Sequence, residues 1–193
     1  MPPNRTRFLA TLLFAVAAFG QQNGRFATLK SQAFEYFDRG QYDKVAGKLE
    51  EIWEQDRSDP KVGEYLAIGY LYGEHDLAKA EPVMKEVLAK GGQATFLVQH
   101  SHERLGILNG DTINNYCSGK ISIVPRKMSF IANDGVDSAD FSPEEMKNLH
   151  ILGGAPGRLE IKAGRKNYTF RVKSETRAEA DFLLEIVQQN LGQ

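Results

Sequence analysis

The chain has 193 residues, 41% hydrophobic and 25% charged, the composition of an ordinary globular protein of one or two domains, so disorder is not the default reading. Its formal net charge of −1 lacks the overall basic excess that marks nucleic-acid or anionic-membrane binding. A single cysteine, Cys117, excludes an internal disulfide, so the fold must rest on its apolar core.

Residues 1–20 read as a secretory signal peptide. Arg5 and Arg7 precede an apolar run from Phe8 to Phe19, and small residues lead to a cleavage point after Gly20. The alternative, a membrane anchor, would need about 20 helical apolar residues, and this run is shorter. Removing the segment takes Lys+Arg from 24 to 22 and leaves Asp+Glu at 25, a mature charge of −3. The expected location is therefore periplasmic or extracellular, with no membrane span in the mature chain.

Residues 24–90 read as four short helices. Leu29, Ala33, Tyr36 and Phe37 share helical spacing over Ala27–Arg39, and Gly40 ends the run. Val45, Leu49, Ile52 and Trp53 do the same over Lys44–Gln55. Ser58-Asp59-Pro60 then stops one helix and starts the next, proline being suited to a first turn. Lys61–Tyr72 and Leu77–Lys90 follow, the second containing Pro82. Tyr36, Tyr42, Val45 and Leu49 lie over Tyr70, Leu77, Ala80 and Met84 at an offset of 34 residues, then 35. That period resembles the tetratricopeptide repeat. A generic four-helix segment is the alternative. The resemblance implies protein–protein contact through a concave face, which would carry Lys30, Phe34, Phe37, Glu64, Ile68 and Leu71. With only two repeats, the apolar members could equally pack on the following domain.

After Gly91-Gly92 the hydrophobic period falls toward two, and residues 93–193 read as β-rich. Phe96, Val98, His100 and His102 alternate in one strand, and Cys117, Gly119, Ile121 and Ile123 in another. Pro125-Arg126 turns into Lys127–Ala132. The stretch from Phe141 to Ile151 fits either strand or a helical turn. Arg158–Lys162 and Asn167–Val172 form a hairpin. A final helix carries Phe182, Leu183, Ile186, Val187 and Leu191, with Ser174 as a cap and Glu175 and Glu179 at its positive end. About six short strands and a terminal helix are similar to a pleckstrin-homology-like barrel of the GRAM type. The fold class expected is thus α+β, with tetratricopeptide-like hairpins followed by an antiparallel barrel closed by its last helix. Some members of that family bind phosphoinositides through basic residues in the first hairpin loop. Here the stretch 103–116, read as that loop, offers only Arg104, so no phosphoinositide is expected.

His100 and His102 lie on one strand face about 7 Å apart. Cys117 begins the next strand and could stand opposite them, a donor set suited to zinc or copper. Structural residues near a barrel end are the alternative. A nucleophilic Cys117 would need a base and an open, positive setting. Its parity with Ile121 and Ile123 points to burial instead, and an intermolecular disulfide stays open. Gly153-Gly-Ala-Pro-Gly157 lacks the lysine of a phosphate loop and reads as a turn. No catalytic elbow, zinc-protease pair or paired-cysteine motif occurs. The expectation is an exported, non-enzymatic protein-interaction or scaffold module, with a protein partner, no nucleic acid and no cofactor. The alternative is a metal or small-ligand carrier built on His100, His102 and Cys117.

Overall fold

Helical periodicity in the first half and alternation in the second are both realised, and one continuous core joins them. The computed structural model describes residues 22, 24–108, 111–154, 157–174 and 176–191. The signal-peptide segment, the proposed charge at Glu175 and part of the 153–157 turn lie outside them. Helix α1 covers 24–38 and ends where Gly40 takes φ +70. A 3₁₀ turn, Tyr42–Lys44, leads into α2, Ala46–Gln55, whose Ala46, Leu49, Ile52 and Trp53 are buried. Helix α3, Pro60–Ile68, starts with proline in its first turn and with the Asp59 carboxylate accepting from the Lys61 N–H at 3.0 Å. It runs on through a π-helical turn, Gly69–Glu74, that stops at His75 in the left-handed conformation. Gly73 is obligatory in that turn, because a Cβ there would stand 2.3 Å from the backbone oxygen of Tyr42. Helix α4, Leu77–Ala89, is capped by Asp76 and carries Pro82 in its interior, on an exposed position. Among the described residues, no helix is long and apolar enough to cross a membrane.

The second half is one antiparallel sheet of seven strands: β1 (Ala94–Leu108), β2 (Asp111–Val124), β3 (Lys127–Ala132), β4 (Ser138–Phe141), β5 (Met146–Leu152), β6 (Arg158–Ala163) and β7 (Lys166–Val172). Their spatial order is β4-β3-β2-β1-β7-β6-β5. The sheet curls into an open half-barrel with β4 and β5 at its two edges, rather than closing on itself as a barrel. Inward positions alternate along the strands, with Phe96, Val98, Ile121, Ile123, Met128, Phe130, Leu159, Ile161, Phe170 and Val172 all buried. Helix α5, Arg177–Leu191, lays Ala180, Phe182, Leu183, Ile186 and Val187 into the concave side. Its cap differs from the one expected. Thr176 Oγ1 accepts from the Glu179 N–H at 3.2 Å, while Ser174, two residues earlier, donates its own N–H to the Glu179 carboxylate at 3.1 Å.

The expected loop over 103–116 is also replaced. Strand pairing continues from His102↔Asn115, past a bulge, to Leu108↔Asp111. β7 pairs with β1 only over Val98–His100, and β3 joins β2 only from Gly119 onward. Residues beyond 101 on β1 and before 117 on β2 therefore form a two-stranded ribbon that leaves the sheet. Its sequence sets Leu105, Ile107, Leu108 and Ile113 among polar residues, too brief an alternation to stand out as paired strands.

Polar contacts also join the helical half to the domain that follows it. The hydroxyl of Tyr72 donates to the Glu179 carboxylate at 2.5 Å and accepts the Leu97 N–H at 2.8 Å. Lys85 of α4 reaches Glu185 of α5 at 2.7 Å.

Candidate metal centre

The ribbon leaves the sheet at a cluster of donor groups. His100 and His102 are two residues apart on β1 and so project to the same side, with ring centroids 5.0 Å apart. Cys117 is the direct register partner of His100 on β2. The fourth member, Asp137, arrives from the loop between β3 and β4. That loop is held by the Ala132 N–H donating to the Asp137 carbonyl and the Asn133 N–H to the Ser118 carbonyl, both at 2.8 Å, and Gly135 turns it at φ +70. These bonds fold the loop back beside Ser118 in the middle of β2 and bring the Asp137 side chain to the two strands.

One potential donor atom from each of the four residues lies within 4.8 Å of the others. His100 Nδ1 donates to Asp137 Oδ2 at 2.8 Å, and His102 Nε2 is 3.8 Å from the same oxygen. Cys117 Sγ stands 3.8 Å from Asp137 Oδ2 and 3.9 Å from His100 Nδ1. Tetrahedral zinc, with bonds of about 2.0–2.3 Å, needs donor separations of about 3.3–3.8 Å. The observed set brackets those edges, so sub-ångström to ångström side-chain shifts would close it around an ion. The floor is aromatic: Phe130, Phe170 and Tyr168 surround the His100 ring at 5.2, 5.2 and 5.8 Å. Burial on that floor pulls the His100 imidazole below its ordinary value, partly opposed by Asp137, so the ring favours its neutral, ligating form. Burial, then the Asp137 charge, pushes the Cys117 thiol up, so the thiol stays protonated until a cation replaces its proton.

His100, His102 and Cys117, named from the sequence, thus converge. Asp137 carries no such mark in the sequence. It lies 37 positions from His100 in a turn rich in Asn, Asp and Gly, and nothing in its local sequence separates it from an ordinary loop acid.

The residues expected on a concave helical face do not form one surface. Ile68 and Leu71 are in the core, 0% and 2% exposed. Glu64 turns to β1, where its carboxylate accepts from Gln93 Nε2 at 2.9 Å and Thr95 Oγ1 at 2.7 Å. Only the α1 side stays near solvent. Lys30 pairs with Asp59, Phe34 meets Tyr65 edge-on at 4.5 Å, and Phe37 stacks on Tyr65 at 3.9 Å.

No protein-family model matches the chain, and no curated protein does. Solved structures similar to it include the N-terminal PH domain of human ARAP2, at 13% identity and TM-score 0.38, over 52% of this chain and 80% of that one. The PH domain of USP37 is 19% identical at TM-score 0.33, over 51% and 98%. The C-terminal domain of an unknown Leishmania infantum protein is 11% identical at TM-score 0.35, over 48% and 81%. The curled antiparallel sheet with its C-terminal helix is PH-like in layout.

Proposed function

We propose that this is an exported, non-enzymatic metal-binding protein that holds one zinc ion between His100, His102, Cys117 and Asp137. The observation that carries the reading is the convergence of four donor side chains from three separate segments, with donor atoms within 4.8 Å, over an aromatic floor. Two imidazoles, a thiolate and a carboxylate form a borderline-soft set, and the two anionic ligands balance the charge of a divalent ion. Four protein ligands leave no open position for substrate or activated water, which favours storage, transfer or structural clamping over catalysis. Bound metal would tie the base of the ribbon, through β1 and β2, to the β3–β4 loop.

The test is a zinc titration of untagged protein stripped with chelator. One equivalent should bind, and His102→Ala combined with Asp137→Ala should weaken binding at least 100-fold, on the order of the loss seen when ligands or their supports are removed. Less than about 0.1 equivalent bound at saturating zinc would overturn the proposal, since a formed site binds stoichiometrically.

A second reading, protein docking by tetratricopeptide-like hairpins, is favoured by the aromatic stack of Phe34, Tyr65 and Phe37 at the α1 surface, with Lys61 over the first two rings at 5.2 and 5.4 Å. Phe34→Ser with Phe37→Ser should then abolish capture of a protein from the native extract while zinc binding persists. Unchanged capture would remove this reading.

A further inference from the structure

Independently of the metal centre, we propose that the outer face of strands β5, β6 and β7 binds an anionic polysaccharide. Between positions 146 and 173 the sequence holds seven Lys and Arg against one acid, Glu160, in a chain whose net charge is −1. The fold gathers those charges. Lys147 on β5 stands directly opposite Lys162 on β6, and Arg158 on β6 directly opposite Arg171 on β7. Arg165 and Lys166 flank the β6–β7 turn at one end of the strip, Lys166 being paired with Ala163 rather than with Lys162. Lys147, Arg158, Lys162, Arg165 and Lys166 are all exposed.

Like charges placed directly across a ladder weaken a sheet, and this face keeps two such pairs. None of Lys147, Arg158, Lys162, Arg165 and Lys166 has a side-chain ion pair among the described residues, and the one acid is engaged by His150 at 3.2 Å. Several cations elsewhere are matched: Arg25 with Glu51, Arg57 with Glu86, Lys79 with Glu74, Lys127 with Asp140. Positive charge gathered on one face, with Lys147, Arg158 and Lys162 exposed, favours a polyanion surface over a merely solubilising one.

The rest of the face selects the class. Its outward positions are Lys147, His150, Arg158, Glu160, Lys162, Asn167, Thr169 and Arg171, with no Phe, Trp or Tyr among them, so it lacks the stacking platforms that single-stranded nucleic acid uses. It also presents no large exposed apolar side chain to enter a bilayer. The exposed large hydrophobics, Ile131 and Val136, lie on and after β3 at the other side of the sheet. A shallow strip of charge about 13 Å long between Arg158 and Lys162 fits an extended chain carrying regularly spaced sulfates or carboxylates.

The test uses the full mature chain and heparin as the probe, read by retention on immobilised heparin and by anisotropy of a labelled heparin oligosaccharide. The wild-type protein should bind. Lys147→Ala, Arg158→Ala and Lys162→Ala together should weaken binding at least tenfold and flatten its dependence on salt, while Lys44→Ala with Lys48→Ala on the helical half should change neither. These are surface positions, and an unchanged thermal midpoint establishes that the triple variant is folded. Failure of the wild-type chain to bind heparin overturns the proposal, as does equal binding by the triple variant. Equal or tighter binding of single-stranded DNA, or of phosphatidylglycerol vesicles, overturns the assignment to polysaccharide.

Discussion

Tyr72→Phe is expected to destabilise the protein by about 3 kcal/mol, although it removes a single oxygen atom. That oxygen is the joint between the halves: it donates to Glu179 and accepts from the Leu97 N–H, and Tyr72 itself is 8% exposed. Phenylalanine fills the same space but leaves a buried donor and a buried carboxylate each short of a partner, and each such loss costs about 1–3 kcal/mol. In a chain of this size the midpoint of thermal unfolding should fall by roughly 6–12 °C. A fall of under about 2 °C would mean that water replaces the hydroxyl without cost and that the joint is not a stability element.

Glu179 gives the same joint a pH signature. Burial raises its carboxyl above the ordinary range, against the lowering effect of the Ser174 and Tyr72 bonds. The folded state then holds its proton to higher pH than the unfolded state does. Stability contributed by this group is therefore greatest below the unfolded carboxylate value of about 4.3 and declines as pH rises through the folded value. Glu179→Gln should remove that decline. Tyr72→Phe should steepen it, because the ionised form loses a donor. The measurement is denaturant unfolding of the three proteins from pH 4 to pH 7, and parallel curves for wild type and Glu179→Gln would contradict the account.

Zinc is expected to give the second large effect. An ion that binds only the folded chain, present at 100 times its dissociation constant, stabilises by about 2.7 kcal/mol. The thermal midpoint should rise by roughly 5–10 °C on that account. Cys117→Ser should abolish the rise while changing the metal-free midpoint little, since Cys117 is half-buried and its sulfur makes only long contacts of 3.8 and 3.9 Å. Asp137→Asn should also abolish most of it, the amide oxygen still accepting from His100 but supplying no charge. A zinc-dependent rise that survives both substitutions would place the ion elsewhere on the chain.

Much of the element order was legible because it is set by local chemistry. Gly40 and Gly91 take positive φ where helical spacing stops, and Pro60 sits in the first turn of α3. Pro125-Arg126 and the 163–166 turn separate alternating runs that pair as β2/β3 and β6/β7. Stripes such as Leu49, Ile52 and Trp53 identify a buried face, but they do not say which layer covers it. Ile68 and Leu71 share helical spacing with Phe34 and Phe37 in kind, yet the π-helical turn and the Tyr72 joint fold the α3 side inward and leave only α1 outside. The centre was half legible for the same reason. Strand periodicity puts His100 and His102 on one face, and pairing register puts Cys117 beside them. Asp137 is delivered by loop bonds to Ala132 and Ser118, which are tertiary and leave no trace in spacing. The charged outer face of β5–β7 was hidden differently, since a net charge near zero averages a basic strip against acids elsewhere.

The most direct measurement is a cobalt(II) titration of metal-free protein followed by visible and near-ultraviolet absorption. Binding should saturate at one equivalent, with the intense ligand-field bands of a tetrahedral ion and a thiolate charge-transfer band that vanishes in Cys117→Ser and is displaced by zinc. Weak octahedral absorption that grows without saturation, identical in the wild-type and Cys117→Ser proteins, would contradict that expectation.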